Sequence, residues 1–465
     1  MKPMLFNVFF PIGGAFLLLL FPRKIKPALS VAIIGATFLF SLWSASSVYA
    51  NREIILATSY LTDWFSFSFF ADTLAVFMAG VSSFVALLIA VYSLDYMKHY
   101  SDSGSFYFWM VLFIGSMMGL IYSANLLLLF CFWEVTSVCS WRLIGFYRHD
   151  KDIQAADKAF LVTFFGASIM LIGIILVYLK FDSLELVFLK GSSLPNMISL
   201  LLLAGVVSKS AQLPLQSWLP DAGVAPTPVT ALLHAAVLVK IGVYVFARIF
   251  GLTFISSAWF LNSAIIVASL SILVAAGSAL LENNMKRILA YSTISQLGYI
   301  LLAFAINNED AFKIGMIYIL AHSLGKAGLF LCMGIVEQKS GTKDINDLGG
   351  LARTMPYTAA AYLLCAFSII GLPPFLGFWP KFMVVLLAVN SGHLFAGSAA
   401  VVGALFTLFY LARLFNKVFL GPLQIDVSED RRSAMVWVVV ILGVLSLLLG
   451  LYFKLPFSLV AKLNG

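Results

Sequence analysis

The sequence predicts an all-α polytopic membrane protein of about 14 transmembrane helices, and three observations predict it. Of the 465 residues, 62% are hydrophobic and only 11% charged, with a mean hydropathy of +1.00. Soluble domains sit near 45–50% apolar and about 25% charged. Apolar runs long enough to cross a hydrocarbon layer of about 30 Å recur from one end of the chain to the other. Two of these runs are broken by prolines and carry lysines, a combination that survives at membrane depth only where the backbone is buried in protein or lines a watery cavity.

Taken in order, the apolar runs fall at 3–21, 27–48, 72–96, 106–124, 125–147, 159–180, 196–219, 228–250, 256–281, 286–306, 311–336, 356–389, 395–420 and 435–453. The first is followed by Arg23-Lys24-Ile25-Lys26 and has neither a basic leader nor a small-residue cleavage site, so it reads as a retained helix and not a signal peptide. Between the second and third runs, NREIILATSYLTDWFSFSFFA alternates and is aromatic, which predicts a short hairpin at the interface. Numbering the connections alternately with the N-terminus outside places 16 basic residues on one side and 8 on the other. That bias puts both termini outside and the 421–434 loop in the cytoplasm. Lys286 and Arg287 count among the cytoplasmic anchors, although Lys286 could also guard a cytoplasmic entrance; Arg248 counts among the outer loops.

Five basic residues remain inside apolar runs: Arg142, Lys209, Lys240, Lys326 and Lys381. Arg142 lies near a helix end and can snorkel. The four lysines are harder to dismiss, because an ammonium at mid-membrane costs roughly 2.5–3.5 kcal/mol on insertion scales. The +8 net charge is thus carried by loops and helix interiors and gives no support to nucleic-acid binding. Cys131, Cys139, Cys332 and Cys365 form no CxxC pair and no metal spacing, and read as small core residues. No haem, iron–sulfur or nucleotide motif is present, so no cofactor and no metal are expected.

The first broken run reads LLAGVVSKSAQLPLQSWLPDAGVAPTPVTALLHAAVLVKIGVYVFAR, with Lys209 before the prolines and Lys240 after them. The second reads SIIGLPPFLGFWPKFMVVL, with Lys381 after its break. Leu372-Pro373 stands 159 residues beyond Leu213-Pro214, and each leads to a tryptophan and another proline, Trp218 and Pro220 or Trp379 and Pro380. Paired interruptions in two halves point to an inverted repeat with a midplane site. Glu134 is the only acid in LLLLFCFWEVTSVCSW; buried, it must be protonated or paired, the plain alternative being a helix-packing hydrogen bond. His322 and Lys326 are four apart and share a helix face. His234 and Lys240 are six apart and need not. Histidine and lysine on adjoining helices make a plausible proton relay, although a lone His234 could equally be a core histidine. Asp221 is either a helix cap or part of the site. His99, His149 and His393 fall in loops and carry no assignment.

The strings FWEVTSVCSWRLIGFY, SKSAQLPLQSWLPDAGVAPTPVTALLHAA, MKRILAYSTISQLGYILLA and HSLGKAGLFL resemble the antiporter-like membrane subunits shared by complex I, Mrp-type sodium/proton antiporters and energy-converting membrane-bound hydrogenases, over roughly 70–385. The resemblance implies two inverted five-helix repeats with discontinuous helices 7 and 12. Helices 1–3 then occupy 1–105, the repeats 106–250 and 251–420, and a cytoplasmic loop with the last helix 421–465. It also implies a lateral mid-membrane ion path through Glu134, Lys209, His234, Lys240, His322, Lys326 and Lys381. There are departures. Phe165-Gly166-Ala167 stands where some members carry an acid, Arg142 where an apolar residue is expected, and no long lateral helix follows the last run. The expected function is ion translocation, of protons or sodium, within a respiratory or antiporter complex in a prokaryotic plasma membrane. The chain would have no redox site of its own and be driven by other integral membrane subunits. The alternative is a stand-alone solute transporter, which also uses inverted repeats and broken helices.

Overall fold

The computed structural model describes residues 3–51, 55–60, 62, 66–100, 102–429 and 431–461. Twelve helices among the described residues are long and apolar enough to cross a membrane. In chain order come α1 (Pro3–Leu20), α2 (Lys26–Asn51), strands β1 (Ile55–Tyr60) and β2 (Ser66–Ala71), α3 (Thr73–Tyr96), α4 (Ser103–Tyr122), α5 (Leu126–Ile144) and α6 (Asp150–Phe181). They are followed by α7 (Asn196–Lys209), α8 (Thr227–Thr253), α9 (Ala258–Leu281), α10 (Met285–Ile306) and α11 (Glu309–Ser340). The chain ends with α12 (Pro356–Ile370), α13 (Phe378–Asn390), α14 (Leu394–Phe419), α15 (Ala434–Leu451) and a short α16 (Lys454–Ala461). The three shorter apolar helices, α7, α12 and α13, come from the two proline-broken runs.

Local chemistry explains the boundaries. Asn125, Asn284 and Asn308 cap the N-termini of α5, α10 and α11 by accepting backbone N–H groups. Helix α6 begins nine residues before its apolar run, because Asp150 and Asp152 complement the N-terminal end of the dipole and polar turns stay helical. Helix α12 stops at Gly371, which adopts φ +88°. Pro373 and Pro374, lacking N–H groups, delay the next helix. Along α8 the backbone loosens into π-helical turns at Leu232–Ala236 and Ala247–Thr253. The described residues of the 51–71 segment form the expected hairpin, β1 pairing antiparallel with β2 from Ile55 opposite Ala71 to Tyr60 opposite Ser66.

Burial orders the helices radially. The α8 span is buried along its whole length and α10 and α11 almost so, whereas less than half of the α2 and α6 spans is buried. The centre of the molecule is therefore α8, α10 and α11, with α9 and α14 packed outside α10 and α3 and α15 outside α11. Helices α6 and α7 approach so closely that a Cβ at Gly166 would lie 2.1 Å from the Ser208 hydroxyl and 2.8 Å from the Ala204 carbonyl oxygen. Within the Phe165-Gly166-Ala167 triplet, α7 leaves no room for a side chain at Gly166.

Candidate functional site

Helix α7 ends at Lys209, whose buried ammonium turns toward α5. Its Nζ donates to the Ser137 hydroxyl at 2.7 Å and the Trp133 carbonyl at 3.2 Å, and lies 5.3 Å from the Trp133 ring centroid. Glu134 is the next residue on α5 and interacts electrostatically with Lys209, but no ion pair within 4.0 Å joins them among the described residues. Its Oε1 is buried without a hydrogen-bond partner. Its neighbours Cys131, Val135 and Val138 are exposed, so Glu134 stands at the edge of the helix bundle, not in its middle.

At the centre, Lys240 on α8 donates to the Ser323 hydroxyl on α11. His322 and Lys326 flank Ser323 on that helix. His322 lies within electrostatic reach of Lys240, Lys326, His234 and Lys381, which makes it the hub of the group. His234 stacks on Phe330 with ring centroids 4.4 Å apart. Neither ring nitrogen of His234 or His322 has a hydrogen-bond partner. Lys326 donates to the Leu289 carbonyl at 3.2 Å. Lys381 donates to the carbonyls of Ile369 and Ile370 at 2.6 and 3.1 Å, and lies 5.1 Å from the Tyr299 ring centroid. Those carbonyls are freed by the end of α12, where the helix dipole favours a cation. The break between α12 and α13 thus creates the acceptors that hold Lys381.

All seven expected residues fall in one body of the molecule: Glu134 and Lys209 at one side, His234, Lys240, His322 and Lys326 in the middle, Lys381 at the far side. Several partners escaped the sequence reading. Ser137 and Ser323 supply the hydroxyls that hold Lys209 and Lys240; their signal was position, one helical turn from Trp133 and adjacent to His322. Beyond Lys381's aromatic partner Tyr299, a neutral network links Tyr318 to Gln296 at 2.8 Å and Tyr410 to Ser292 at 2.6 Å.

Arg248, counted with the outer loops, and Lys286, counted as a cytoplasmic anchor, are both buried. Arg248 is only 2% exposed and forms a bidentate pair with Asp72 at 2.5 and 2.8 Å, with the Phe70 ring centroid 4.6 Å from its guanidinium carbon. Lys286 is 1% exposed and pairs with Glu337 at 2.6 Å while donating to the Ala225 carbonyl at 3.0 Å. Counting charges along the chain cannot reveal that α3 and α11 fold over these positions. Arg142 lies 5.7 Å from the ring centroids of both Trp109 and Trp141, as suits a residue near a helix end. Asp221 makes no helix cap; it accepts ion pairs from Lys158 and Arg287, each at 2.6 Å.

The family model described as NADH:quinone oxidoreductase/Mrp antiporter, TM, matches residues 123–407, which include Glu134, Lys209, His234, Lys240, His322, Lys326 and Lys381. The chain belongs to this family. A second model, the N-terminus of chain 5 of complex I NADH-ubiquinone oxidoreductase, matches 62–108 of this antiporter-like chain. A Na(+)/H(+) antiporter subunit A1 of Staphylococcus haemolyticus is 31% identical, covering 97% of the antiporter-like chain and 60% of its own length. NADH-quinone oxidoreductase subunit L of Escherichia coli is 33% identical over 97% of this chain and 76% of its own. That of Pseudomonas aeruginosa is 36% identical over 89% and 70%. The chain spans 60, 52 and 63% of three of the curated relatives it matches. Two solved structures share the antiporter-like fold. The Mrp complex from Dietzia sp. DQ12-45-1b gives a TM-score of 0.92 at 23% identity, over 100% of this chain and 97% of the other. The archaeal membrane-bound sulfane sulfur reductase gives 0.90 at 24%, over 99% and 97%.

Proposed function

We propose that this chain translocates protons or sodium ions as one subunit of a larger membrane complex in a prokaryotic plasma membrane. One observation carries the reading. Lys209, Lys240, Lys326 and Lys381, with His234 and His322, are fully or almost fully buried in a membrane protein with no carboxylate in ion-pair distance among the described residues. Buried charges without pairs are costly to hold and are kept where they serve transport. The partnerless histidine nitrogens need water, and a water-bridged relay through them would join Lys240 to Lys326.

On this reading α7 with the short turn at Trp218–Asp221 forms one interrupted crossing, and α12 with α13 another, completing 14. Helices α4 to α8 and α9 to α14 are then the two inverted repeats, at 106–250 and 251–420. Both termini lie outside, as the charge bias suggests. The Glu134 carboxylate favours the Lys209 ammonium; when a neighbouring subunit draws Glu134 away, the proton leaves Lys209 for Lys240, Lys326 and finally Lys381. Glu134's position at the edge of the bundle suits such a neighbour. The relatives that are subunits of antiporter or quinone-oxidoreductase assemblies weigh against a stand-alone carrier. The test is Lys209→Ala in the assembled complex reconstituted in proteoliposomes. Ion movement should be lost while assembly persists, and undiminished movement would remove Lys209 from the path.

A further inference from the structure

At one end of the helix bundle, the ends of α1, α2, α3, α4, α11 and α15 build a pair of basic pockets that share a wall. The first, about 500 Å³, is bordered by Arg23 and Lys24 between α1 and α2, by Lys98 and His99 after α3, and by Tyr100 and Tyr107. The second, about 460 Å³, uses the other side of Lys98 and His99, with Gln338 and Lys339 at the end of α11 and Arg432 and Ser433 before α15. Arg23, Lys24 and Lys339 have no carboxylate in ion-pair distance among the described residues. Asp95 is the acid in the second pocket, and its oxygens are occupied by Lys98 at 2.5 Å and by the Ser433 hydroxyl and Ala434 N–H at 3.0 and 2.7 Å. Each pocket therefore offers an excess of positive charge.

Exposed apolar surface lies directly beside both pockets. Leu19 and Leu20 are 55 and 81% exposed just before Arg23, and Trp437 and Ile441 present one exposed face of α15 just after Ser433. Charge at the end of the bundle with apolar surface beside it is complementary to an acidic phospholipid and not to a soluble anion. Basic pockets between membrane helices are suited to phosphate headgroups. Two such pockets divided only by the Lys98–His99 wall match a lipid carrying two phosphates on one headgroup. We infer that the paired pockets hold one diphosphate acidic phospholipid, with one phosphate on either side of Lys98 and its acyl chains against α1 and α15. This is independent of the ion path.

The test uses the whole complex, purified and stripped of lipid, then titrated with cardiolipin, with phosphatidylglycerol at equal phosphate, and with inorganic phosphate. The reading is the thermal midpoint of the complex. Cardiolipin should raise it at concentrations where the other two do not. Arg23→Gln and Lys339→Gln, one on each side, should each weaken the apparent cardiolipin affinity about fivefold, and the double variant about thirtyfold. Lys180→Gln, in a different part of the molecule, should leave it unchanged. Equal shifts with phosphatidylglycerol overturn the two-phosphate assignment, and equal shifts with inorganic phosphate overturn a lipid of any kind. A photocrosslinker at His99 that captures a protein subunit in place of lipid assigns the pockets to an interface and also overturns the proposal.

Discussion

The pair of Arg248 and Asp72 offers a demanding test of the packing. The guanidinium is 3% exposed and the carboxylate 16%, so α3 and α8 are joined by an ion pair almost sealed from solvent. Asp72 also caps α3 by accepting the Ala75 N–H at 3.0 Å. Removing one partner of a buried pair leaves an uncompensated charge and costs about 3–5 kcal/mol. Losing an N-cap costs about 1 kcal/mol. Asp72→Asn keeps the cap and removes the charge, so it should lose about 3–5 kcal/mol; Asp72→Ala loses both and should be worse by the cap. Arg248→Met combined with Asp72→Asn removes both charges and refills the space, and should recover most of the loss. The assay is the thermal midpoint of the purified complex at one heating rate, read as a rank order because such unfolding is not two-state. The expected order is wild type, then the double variant, then Asp72→Asn, then Asp72→Ala. An Asp72→Asn midpoint equal to wild type, or a double variant worse than Asp72→Asn, would refute the reasoning.

Four further outcomes are expected. Lys209→Arg should not restore the transport that Lys209→Ala loses, because a guanidinium does not release its proton; full transport with arginine would show that charge alone suffices. Glu134→Gln with Lys209→Ala should lose no more transport than the worse single variant, and losses that multiply would make the two residues independent. Gly377→Ala places a Cβ 1.9 Å from the Ser368 carbonyl oxygen, backbone against backbone. It should destabilise by about 1–3 kcal/mol and, by shifting α13, reduce transport through Lys381; normal stability and transport would show that the break can yield. Cysteine at Ser428 should react with an impermeant reagent from the cytoplasm and cysteine at Ser391 from outside, and the reverse pattern would invert the topology.

Much of the fold is legible in the sequence because membrane helices satisfy their own backbone within one segment. Hydropathy therefore finds them one at a time, and the 51–71 alternation finds the hairpin in the same local way. The proline-broken runs were legible too, since a missing N–H acts where it stands. The seven titratable residues stood out because each is a polar group inside an apolar run.

What the sequence by itself determined is the membrane class, the helical segments, the two proline-broken runs and the identity of the lysines, histidines and glutamate that stand inside apolar runs. Only the tertiary structure decided what those groups meet. Lys381 rests on carbonyls of α12, Lys240 on a hydroxyl of α11, and Lys209 on Trp133 and Ser137 instead of on the Glu134 carboxylate. It also moved Arg248 from an outer loop, and Lys286 from a cytoplasmic anchor, to buried ion pairs. The reason is that a partner 72 or 176 residues away is chosen by which helix faces pack together, and hydropathy along a single segment carries no record of that choice.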